Sequence, residues 1–302
     1  MPGVNWPDIV LACGLGLLVG SFLNVVIFRL PVVMAKQWAQ ECQDYLAEQG
    51  INSTALQKLL PANPAAQVQS TVTAGETFNL LRPRSRCPHC GHAIAWYENI
   101  PLLSYAFLRG KCSACKAHIS LRYPLVEIIT ALLFGFCIWR FGVTPSGLVW
   151  CGFCAALLAL ALIDWDTTLL PDDITLPLLW AGLVASALRF TDVPLSAALW
   201  GAVAGYLFLW LIYWAFKLLT GKEGMGYGDF KLFAALGAWF GWSALVPIIL
   251  MASVIGALVG IALKLGPGLR EGGYVPFGPF LAGAGLTALV FGPQAILRFA
   301  GL

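Results

Sequence analysis

The chain has 302 residues, of which 59% are hydrophobic and only 11% charged, and its net charge is +3. A soluble domain carries about 25% charged residues, so this composition excludes an ordinary soluble domain and indicates a membrane protein with several spans. No ten-residue pattern of alternating hydrophobicity recurs, which favours an all-α polytopic bundle over a barrel. We expect no nucleic-acid partner.

Eight apolar segments follow one another along the chain and predict about eight transmembrane helices. They lie near residues 8–29, 123–140, 146–163, 174–190, 194–219, 230–243, 244–263 and 277–298. The first segment is not preceded by Lys or Arg and is long enough to span a bilayer, so we interpret it as a retained helix and not as a signal peptide. The sixth and seventh abut, and each is short for a span.

The distribution of basic residues predicts the orientation of these helices. If the amino terminus lies outside and the chain crosses eight times, only Arg140, Arg189 and Arg298 remain outside, and the other fifteen of the 18 Lys and Arg residues lie inside. This bias follows the positive-inside rule. The long loop after the first helix is then cytoplasmic, and both termini lie on the outer face.

Three regions follow from this arrangement. Residues 1–30 form a first transmembrane helix, residues 31–122 a cytoplasmic domain, and residues 123–302 a transmembrane bundle. In the cytoplasmic domain, a helical-looking run from Gln37 to Gln49 precedes a stretch rich in Pro, Asn, Ser and Thr. We expect one or two short helices and a loop between Ala35 and Glu76, without chemistry of their own.

Four cysteines mark a small module at about residues 82–120. Cys87 and Cys90 form one C-x-x-C pair, and Cys112 and Cys115 form a second pair at a spacing typical of a four-cysteine zinc site. The module lies on the cytoplasmic side, where disulfides are disfavoured. We therefore predict a closed, structural zinc site that holds together a domain too small for a core of its own.

The remaining cysteines and the histidines receive simpler interpretations. His89, His92 and His118 all lie in the module, and we expect them around the metal ligands or at the surface, since four thiolates fill the coordination sphere. Cys151 and Cys154 repeat the C-x-x-C spacing inside an apolar helix, where small packing residues are the expected role.

Two aspartates carry the strongest sign of chemistry in the chain. Asp164 follows the third apolar segment and Asp229 ends the sequence Gly226-Tyr227-Gly228-Asp229. Two predicted helices separate them, so both lie at the same face of the membrane. An ionisable group at a membrane boundary is a functional candidate, and two carboxylates that share a proton can activate water against a peptide bond. Gly226 and Gly228 allow a substrate strand to approach the main chain.

The other acids of these loops receive a plainer interpretation. Asp166, Asp172, Asp173 and Asp192 are expected to be helix caps at loop ends. The same interpretation is the alternative for the aspartate pair, in a membrane scaffold that has a zinc module and no activity. A further alternative is a transporter coupled to protons or ions, in which the membrane-edge carboxylates would carry the coupling charge. That function predicts acids near mid-helix and an internal repeat, and the sequence has neither.

The chain resembles the type IV prepilin peptidases, bacterial leader peptidases of the G-x-G-D aspartic class. The resemblance covers nearly the whole chain. Its motifs occur in one order and lie at residues 20–31, 85–101, 108–112, 122–127, around Asp164, at 226–229 and at 276–280.

The resemblance implies more than the residues alone. Enzymes of this family cut the basic leader from type IV prepilins and type II secretion pseudopilins after a glycine at the cytoplasmic face of the inner membrane. Many then N-methylate the new amino terminus with S-adenosylmethionine. By motif, Asp164 and Asp229 would be the catalytic pair, and Cys87, Cys90, Cys112 and Cys115 the zinc ligands.

The site of the methyl donor is the least defined of these expectations. The sequence has no glycine-rich loop of the soluble methyltransferase kind. We expect this site where the zinc module meets the membrane, with Glu127 as a cofactor-binding residue. Glu127 lies about one turn into a predicted helix, where a buried acid needs a partner. The alternative is a structural role for Glu127, as a partner of Arg122 or of a neighbouring helix.

Overall fold

The computed structural model describes residues 5–49, 79–222, 224–265 and 275–299. Across these ranges the regular structure is helical, apart from two isolated bridges between single residues. The helices, in chain order, are α1 (Trp6–Glu48), α2 (Leu103–Phe107), α3 (Arg122–Phe141), α4 (Pro145–Thr167), α5 (Asp172–Ala187), α6 (Leu195–Thr220), α7 (Tyr227–Phe240), α8 (Leu245–Leu265), α9 (Gly278–Phe291) and α10 (Pro293–Phe299). Two 3₁₀ turns lie at Trp96–Asn99 and Trp242–Ala244.

Five of these helices are long and apolar enough to cross a membrane. They are α1, α3, α4, α6 and the stretch Trp242–Leu265 that contains α8. The predicted class, an all-α protein with several membrane helices, is confirmed. The count of eight crossings stays a prediction, because α5, α7 and α9 have only 14 to 16 residues.

The first helix differs from its prediction. We expected a span ending near residue 29 and a separate helical run from Gln37, but α1 continues through Pro31 to Glu48 as one helix of 43 residues. The predicted run is therefore the second half of α1. A proline removes one backbone donor from a helix and breaks it only where the neighbouring turns cannot compensate. Most of the polar stretch expected beyond Glu48 lies outside the described residues.

The last predicted segment also differs. Residues 277–298 were expected to form one helix, but α9 ends at Phe291 and α10 begins at Pro293. Gly292 separates them with a φ of 83°, a left-handed conformation that a glycine adopts readily and that stops a helix. The following proline starts α10, where its missing N–H is not needed.

The chain divides into two compact units, and the division falls inside α1 and α3. One unit contains residues 1–19 and 128–302, and the other contains residues 20–127. The boundaries predicted from the sequence, at residues 30 and 122, stay predictions.

The core of the larger unit is built around α7. Nearly every side chain of this helix is buried, including Phe230, Phe233 and Trp239. The helix packs against α5 and α6, and the indole N–H of Trp239 donates a 2.8 Å hydrogen bond to the carbonyl oxygen of Leu178 in α5. The buried amphipathic side chain thus keeps its polar group satisfied.

Small residues let α6 and α7 approach closely. Gly201 of α6 and Gly237 of α7 face each other so that a Cβ on either glycine would overlap the backbone of the other helix. Close backbone approach through small residues is a usual way for membrane helices to associate, since lipid supplies no hydrophobic driving force between them. The register of α7, and therefore the position of Asp229 at its start, is fixed by this contact.

Candidate active site and candidate metal centre

Asp164 lies inside the last turn of α4 and not after its end, as the predicted segment 146–163 implied. The helix continues to Thr167 because Thr168 takes a left-handed conformation (φ 58°) and its N–H donates to the backbone carbonyl of Asp164 at 2.8 Å. The Asp164 side chain is only 4% exposed. The aspartate therefore projects from a rigid helical turn.

Asp229 is the third residue of α7 and lies in its first turn, which follows the capping residue Gly226. Its side chain is 7% exposed, and its Oδ1 atom has no hydrogen-bond partner within the described part of the chain. A buried oxygen that lacks a donor is costly for a carboxylate, so this environment favours the protonated acid.

Both aspartates line one cavity of about 260 Å³ in the larger unit. The turn after α4 contributes Thr168 and Leu170, and the start of α7 contributes its capping residue Gly226 and its second residue Gly228. The third wall, residues 275–277, precedes α9. The cavity is large enough to hold water beside the two carboxylates.

The electrostatics of the cavity follow from burial and from the proximity of the two acids. Asp229 lies outside the five membrane-crossing helices. Burial raises the pKa of Asp229 to about 7, and the negative charge of Asp164 adds to this rise, whereas a backbone hydrogen bond from Gly226 opposes it. Two carboxylates in this relation titrate as a pair.

Gly278 contributes a contact that the sequence did not reveal. Its backbone N–H donates a hydrogen bond to Oδ2 of Asp164 at 2.9 Å. We had identified residues 276–280 as a family motif but had assigned no role to them. The only available signal was the glycine between Phe277 and Pro279, since a glycine there lets the backbone come close to another group.

The remaining loop acids lie at helix starts or at the surface. Asp172 and Asp173 occupy the first turn of α5, where a negative charge stabilises the helix dipole. They are not caps as expected, because the capping residue is Pro171 and no side chain caps the start of this helix. Asp172 also forms an ion pair with Lys231 of α7, with both carboxylate oxygens 2.7 Å from Nζ. Because both side chains are partly exposed, such a pair contributes about 0–1 kcal/mol.

The four module cysteines come together in the smaller unit. Their sulfur atoms all lie within 4.8 Å of one another, with 3.8 Å between Cys87 and Cys115 and 4.0 Å between Cys90 and Cys112. A tetrahedral ion with zinc–sulfur bonds of about 2.3 Å needs sulfur–sulfur edges of about 3.8 Å. The four residues therefore fit a tetrahedral metal ion such as zinc.

The two cysteine knuckles have the same local geometry. The N–H of Cys87 donates to His92, and that of Cys112 donates to Ala117, each across a tight turn. The fourth residue after each first cysteine has a positive φ, which is 70° at Gly91 and 60° at Lys116. A glycine adopts a positive φ readily, as at Gly91, but Lys116 takes the same conformation without being a glycine. The repeat shows that the turn geometry is common to both knuckles.

Backbone amides prepare these thiols for a metal. The N–H groups of Cys90 and His89 lower the pKa of Cys87 to about 7, and those of Cys115 and Ala114 lower the pKa of Cys112. Metal ligation needs the thiolate form. The two first cysteines of the knuckles are therefore predisposed to bind a cation.

The histidines of the module lie beside this cluster. His89, His92 and His118 are exposed, and the metal-binding group found among the described residues consists of the four cysteines alone. His92 Nε2 lies 3.4 Å from Oε2 of Glu98. That carboxylate also accepts a 2.8 Å hydrogen bond from the N–H of Ala95, so it fixes the loop between the knuckles.

Glu127 lies in the first half of α3 and belongs to the smaller unit. Its side chain is 8% exposed, and its Oε2 atom accepts a 3.0 Å hydrogen bond from the backbone N–H of Leu102. The Ser21 side chain is a further partner. Leu102 has a positive φ of 56° just before α2, a strained conformation for a leucine that the carboxylate stabilises.

The apolar C-x-x-C pair is buried among helices α3 and α4. The sulfur of Cys154 lies 3.7 Å from that of Cys137, and the sulfur of Cys151 lies 4.0 Å from the carbonyl oxygen of Phe134. All three thiols are buried and free. These contacts agree with the packing role that we expected for Cys151 and Cys154. The neighbouring Cys137 is part of the same packing.

The chain is similar to known proteins over most of its length. Residues 15–141 match the bacterial peptidase A24 N-terminal domain, and residues 151–261 match the type IV leader peptidase family. A protein of Stutzerimonas stutzeri named prepilin leader peptidase/N-methyltransferase is 50% identical over 95% of this chain and 93% of its own length. Proteins of the same name from Pseudomonas aeruginosa and Aeromonas hydrophila are 49% and 47% identical, over 95% and 96% of this chain and 92% and 93% of their own. No solved structure matches the chain.

The fold and the cavity define a polytopic helical membrane protein with a buried pair of aspartates and a four-cysteine module. With relatives this similar over nearly its whole length, the chain belongs to the type IV leader peptidase family. The names of the relatives support the peptidase expectation and not the transporter alternative.

The cysteine cluster gives a prediction for metal content. Replacing Cys112 by serine removes one of four thiolates, so the purified Cys112→Ser protein should lose most of its bound zinc and melt at a lower temperature. Elemental analysis and thermal unfolding in detergent measure both effects. Cys42→Ser is the control, since Cys42 is an exposed cysteine of α1. A Cys112→Ser protein that keeps one zinc ion per chain would contradict the four-cysteine site.

Proposed function

We propose that this protein cleaves the basic leader peptide from type IV prepilins and type II secretion pseudopilins after a glycine, and then N-methylates the new amino terminus. The observation that carries the proposal is the pair Asp164 and Asp229, which line one buried cavity. The names of the relatives, which combine leader peptidase and N-methyltransferase, support both activities.

The peptidase reaction uses the two carboxylates as general base and general acid. One aspartate is ionised and takes a proton from water, while the other is protonated and donates a hydrogen bond to the oxygen of the scissile carbonyl. The raised pKa of Asp229 supports a shared proton near neutral pH. Gly226 leaves room for the main chain of an extended substrate beside the acids, whereas the missing Cβ of Gly228 lets Leu170 pack against α7.

The substrate also fits a site at the membrane surface. A prepilin has a basic leader in the cytoplasm and an apolar helix in the bilayer, and the bond to be cut lies between them. The basic side chains of the leader would be attracted to anionic lipid and to acidic residues near the site, and this attraction would bring the leader to the site. Glycine at the cleavage point lowers the cost of unwinding the substrate helix.

In the second activity, the module and Glu127 contribute to methyl transfer, and S-adenosylmethionine supplies the methyl group when bound. Zinc on the four cysteines would hold the module in shape, because a four-thiolate site has no open position for a reactant. Glu127 would offer its negative charge to the positively charged cofactor. Its hydrogen bond to Leu102 favours a second role, in which the carboxylate supports the turn before α2.

The protein is proposed to lie in the bacterial inner membrane, with the active site and the zinc module facing the cytoplasm and both termini in the periplasm. The bias of basic residues toward the inner loops supports this orientation.

The aspartate pair gives the main prediction. Purified Asp164→Asn and Asp229→Asn proteins should fold but cleave prepilin at least about 1,000-fold more slowly than the wild type, because each loses a group that transfers a proton. The assay incubates detergent-solubilised protein with a prepilin and a labelled methyl donor, and follows both the shortened product and its label. The matched control is Asp192→Asn, at an exposed loop acid. Normal cleavage by either of the two mutants would contradict the pairing.

Glu127→Gln separates the two roles of Glu127. The glutamine keeps an acceptor for the Leu102 N–H but loses the charge. If the charge binds the cofactor, the variant should cleave prepilin normally and methylate the product about 10-fold or more slowly, with a raised KM for S-adenosylmethionine. Wild-type methylation by Glu127→Gln would contradict cofactor binding and leave the structural role.

The orientation can be tested with a cysteine that the chain already has. Cys42 is exposed in α1 and should lie in the cytoplasm. A membrane-impermeant maleimide should therefore label Cys42 in inverted membrane vesicles and not in right-side-out vesicles, and Cys42→Ser identifies the labelled site. Labelling of Cys42 from the outer side would overturn the proposed orientation.

A further inference from the structure

The two aspartates of the cavity have unequal surroundings. Asp164 Oδ2 accepts a hydrogen bond from the backbone N–H of Gly278 at 2.9 Å, whereas Asp229 Oδ1 is buried with no donor among the described residues. A donor directed at a carboxylate stabilises its negative charge, and a buried oxygen without a donor is better tolerated when its carboxyl group is protonated. The geometry therefore separates the roles of two groups that the sequence treats as equivalent.

The contact between Gly278 and Asp164 tolerates no side chain at position 278. A Cβ on Gly278 would lie 2.5 Å from Oδ2 of Asp164 and 3.1 Å from its Cγ, and it would also meet Leu170 at 3.1 Å. Real Cβ atoms do not approach oxygen that closely, so a substitution must move the carboxylate. The motif around Gly278 thus brings an N–H group to the acid and excludes a methyl group from the same place.

We propose that Gly278 is a positioning residue that holds Asp164 as the ionised base of the peptidase reaction, so that Asp229 is the protonated acid. This inference rests on the proposed peptidase function and deepens it, because it assigns the proton within the pair. The raised pKa of Asp229 agrees with this assignment.

The assignment gives a balanced reaction. Asp164 takes a proton from water as the water oxygen bonds to the scissile carbonyl carbon, and the carbonyl oxygen takes the proton of Asp229 as its π electrons move onto it. When the C–N bond breaks, the leaving amine takes the proton held by Asp164, and the hydroxyl formed from the carbonyl oxygen returns its proton to Asp229. Both aspartates end in the states in which they began.

The test compares two glycines of α9 in the full-length protein. Gly278→Ala should lower kcat for prepilin about 100-fold with little change in KM, since a displacement of about 1 Å in a reacting group has an effect of this size. Gly283→Ala is the matched control, because a Cβ at Gly283 meets no atom within 4 Å. The control should keep wild-type activity.

A pH–rate profile separates positioning from a general loss of structure. The base must be ionised, so activity falls on the acid side as that group gains its proton. Without the N–H donor in place, the acid limb of kcat/KM in Gly278→Ala should move to higher pH by about one unit. A variant that is only less stable would have a lower maximal kcat/KM, but its activity would fall at the same acidic pH as in the wild type. If the acid limb of kcat/KM in Gly278→Ala lies at the same pH as in the wild type, the proposal is overturned.

The location of the proton can be measured without catalysis. In infrared difference spectra recorded on the acid side of neutral pH, the carboxylic acid C=O band of the resting protein should lose a component in Asp229→Asn. Asp164→Asn should keep this component, with its titration moved to lower pH because the charge of Asp164 no longer raises the pKa of Asp229. This measurement stands even where Gly278→Ala fails to fold. Loss of that component in Asp164→Asn instead would overturn the assignment. A wild-type protein that cleaves no prepilin would contradict the proposed function and would leave the infrared result as the test of the proton assignment.

Discussion

The structure depends on keeping two acids buried beside one cavity. Asp164 and Asp229 are each less than 10% exposed. Two neighbouring negative charges that are shielded from water repel each other strongly. The two carboxylates have different surroundings. The N–H of Gly278 donates a hydrogen bond to Asp164, which stabilises its negative charge, whereas burial favours the protonated form of Asp229. In the proposed mechanism the pair shares one proton near neutral pH, which is the state that aspartic proteolysis requires.

Holding the acids in place is the task of α7 and its neighbours. Asp229 can keep its position only if the helix that begins at Tyr227 cannot slide, and the close contact between Gly201 and Gly237 fixes its register against α6. The hydrogen bond from Trp239 to Leu178 fixes it against α5. The packing of this 14-residue helix, most of whose side chains are buried, would hold Asp229 in the fixed position that the proposed reaction needs, since precise sites need support from packed elements.

The sequence predicted the parts of the molecule that local pattern determines. Apolar segments, the two C-x-x-C pairs and the aspartates at segment ends are visible in the order of residues, and the helices and the sulfur cluster follow from them. The continuation of α1 through Pro31 was missed because a proline usually marks the end of a helix. The continuation of α4 to Thr167 was missed because its end is set by the left-handed conformation of Thr168, which apolar periodicity does not encode. The Gly278 contact was missed for another reason: it joins residues 114 positions apart, and no periodicity encodes such a contact.

The division of the chain into two compact units bears on how two reactions can share one chain. A four-thiolate cluster has no open coordination position, and so it can stabilise the module but cannot activate a reactant. Peptide cleavage needs a base and an acid, and the proposed pair, Asp164 and Asp229, belongs to the larger unit. Transfer of a methyl group from a sulfonium needs mainly that the methyl group and a deprotonated amine are held in the right orientation. The smaller unit suits the second task, because hydrogen bonds to Glu98 and Glu127 order its loops and could hold a reactant in a fixed orientation.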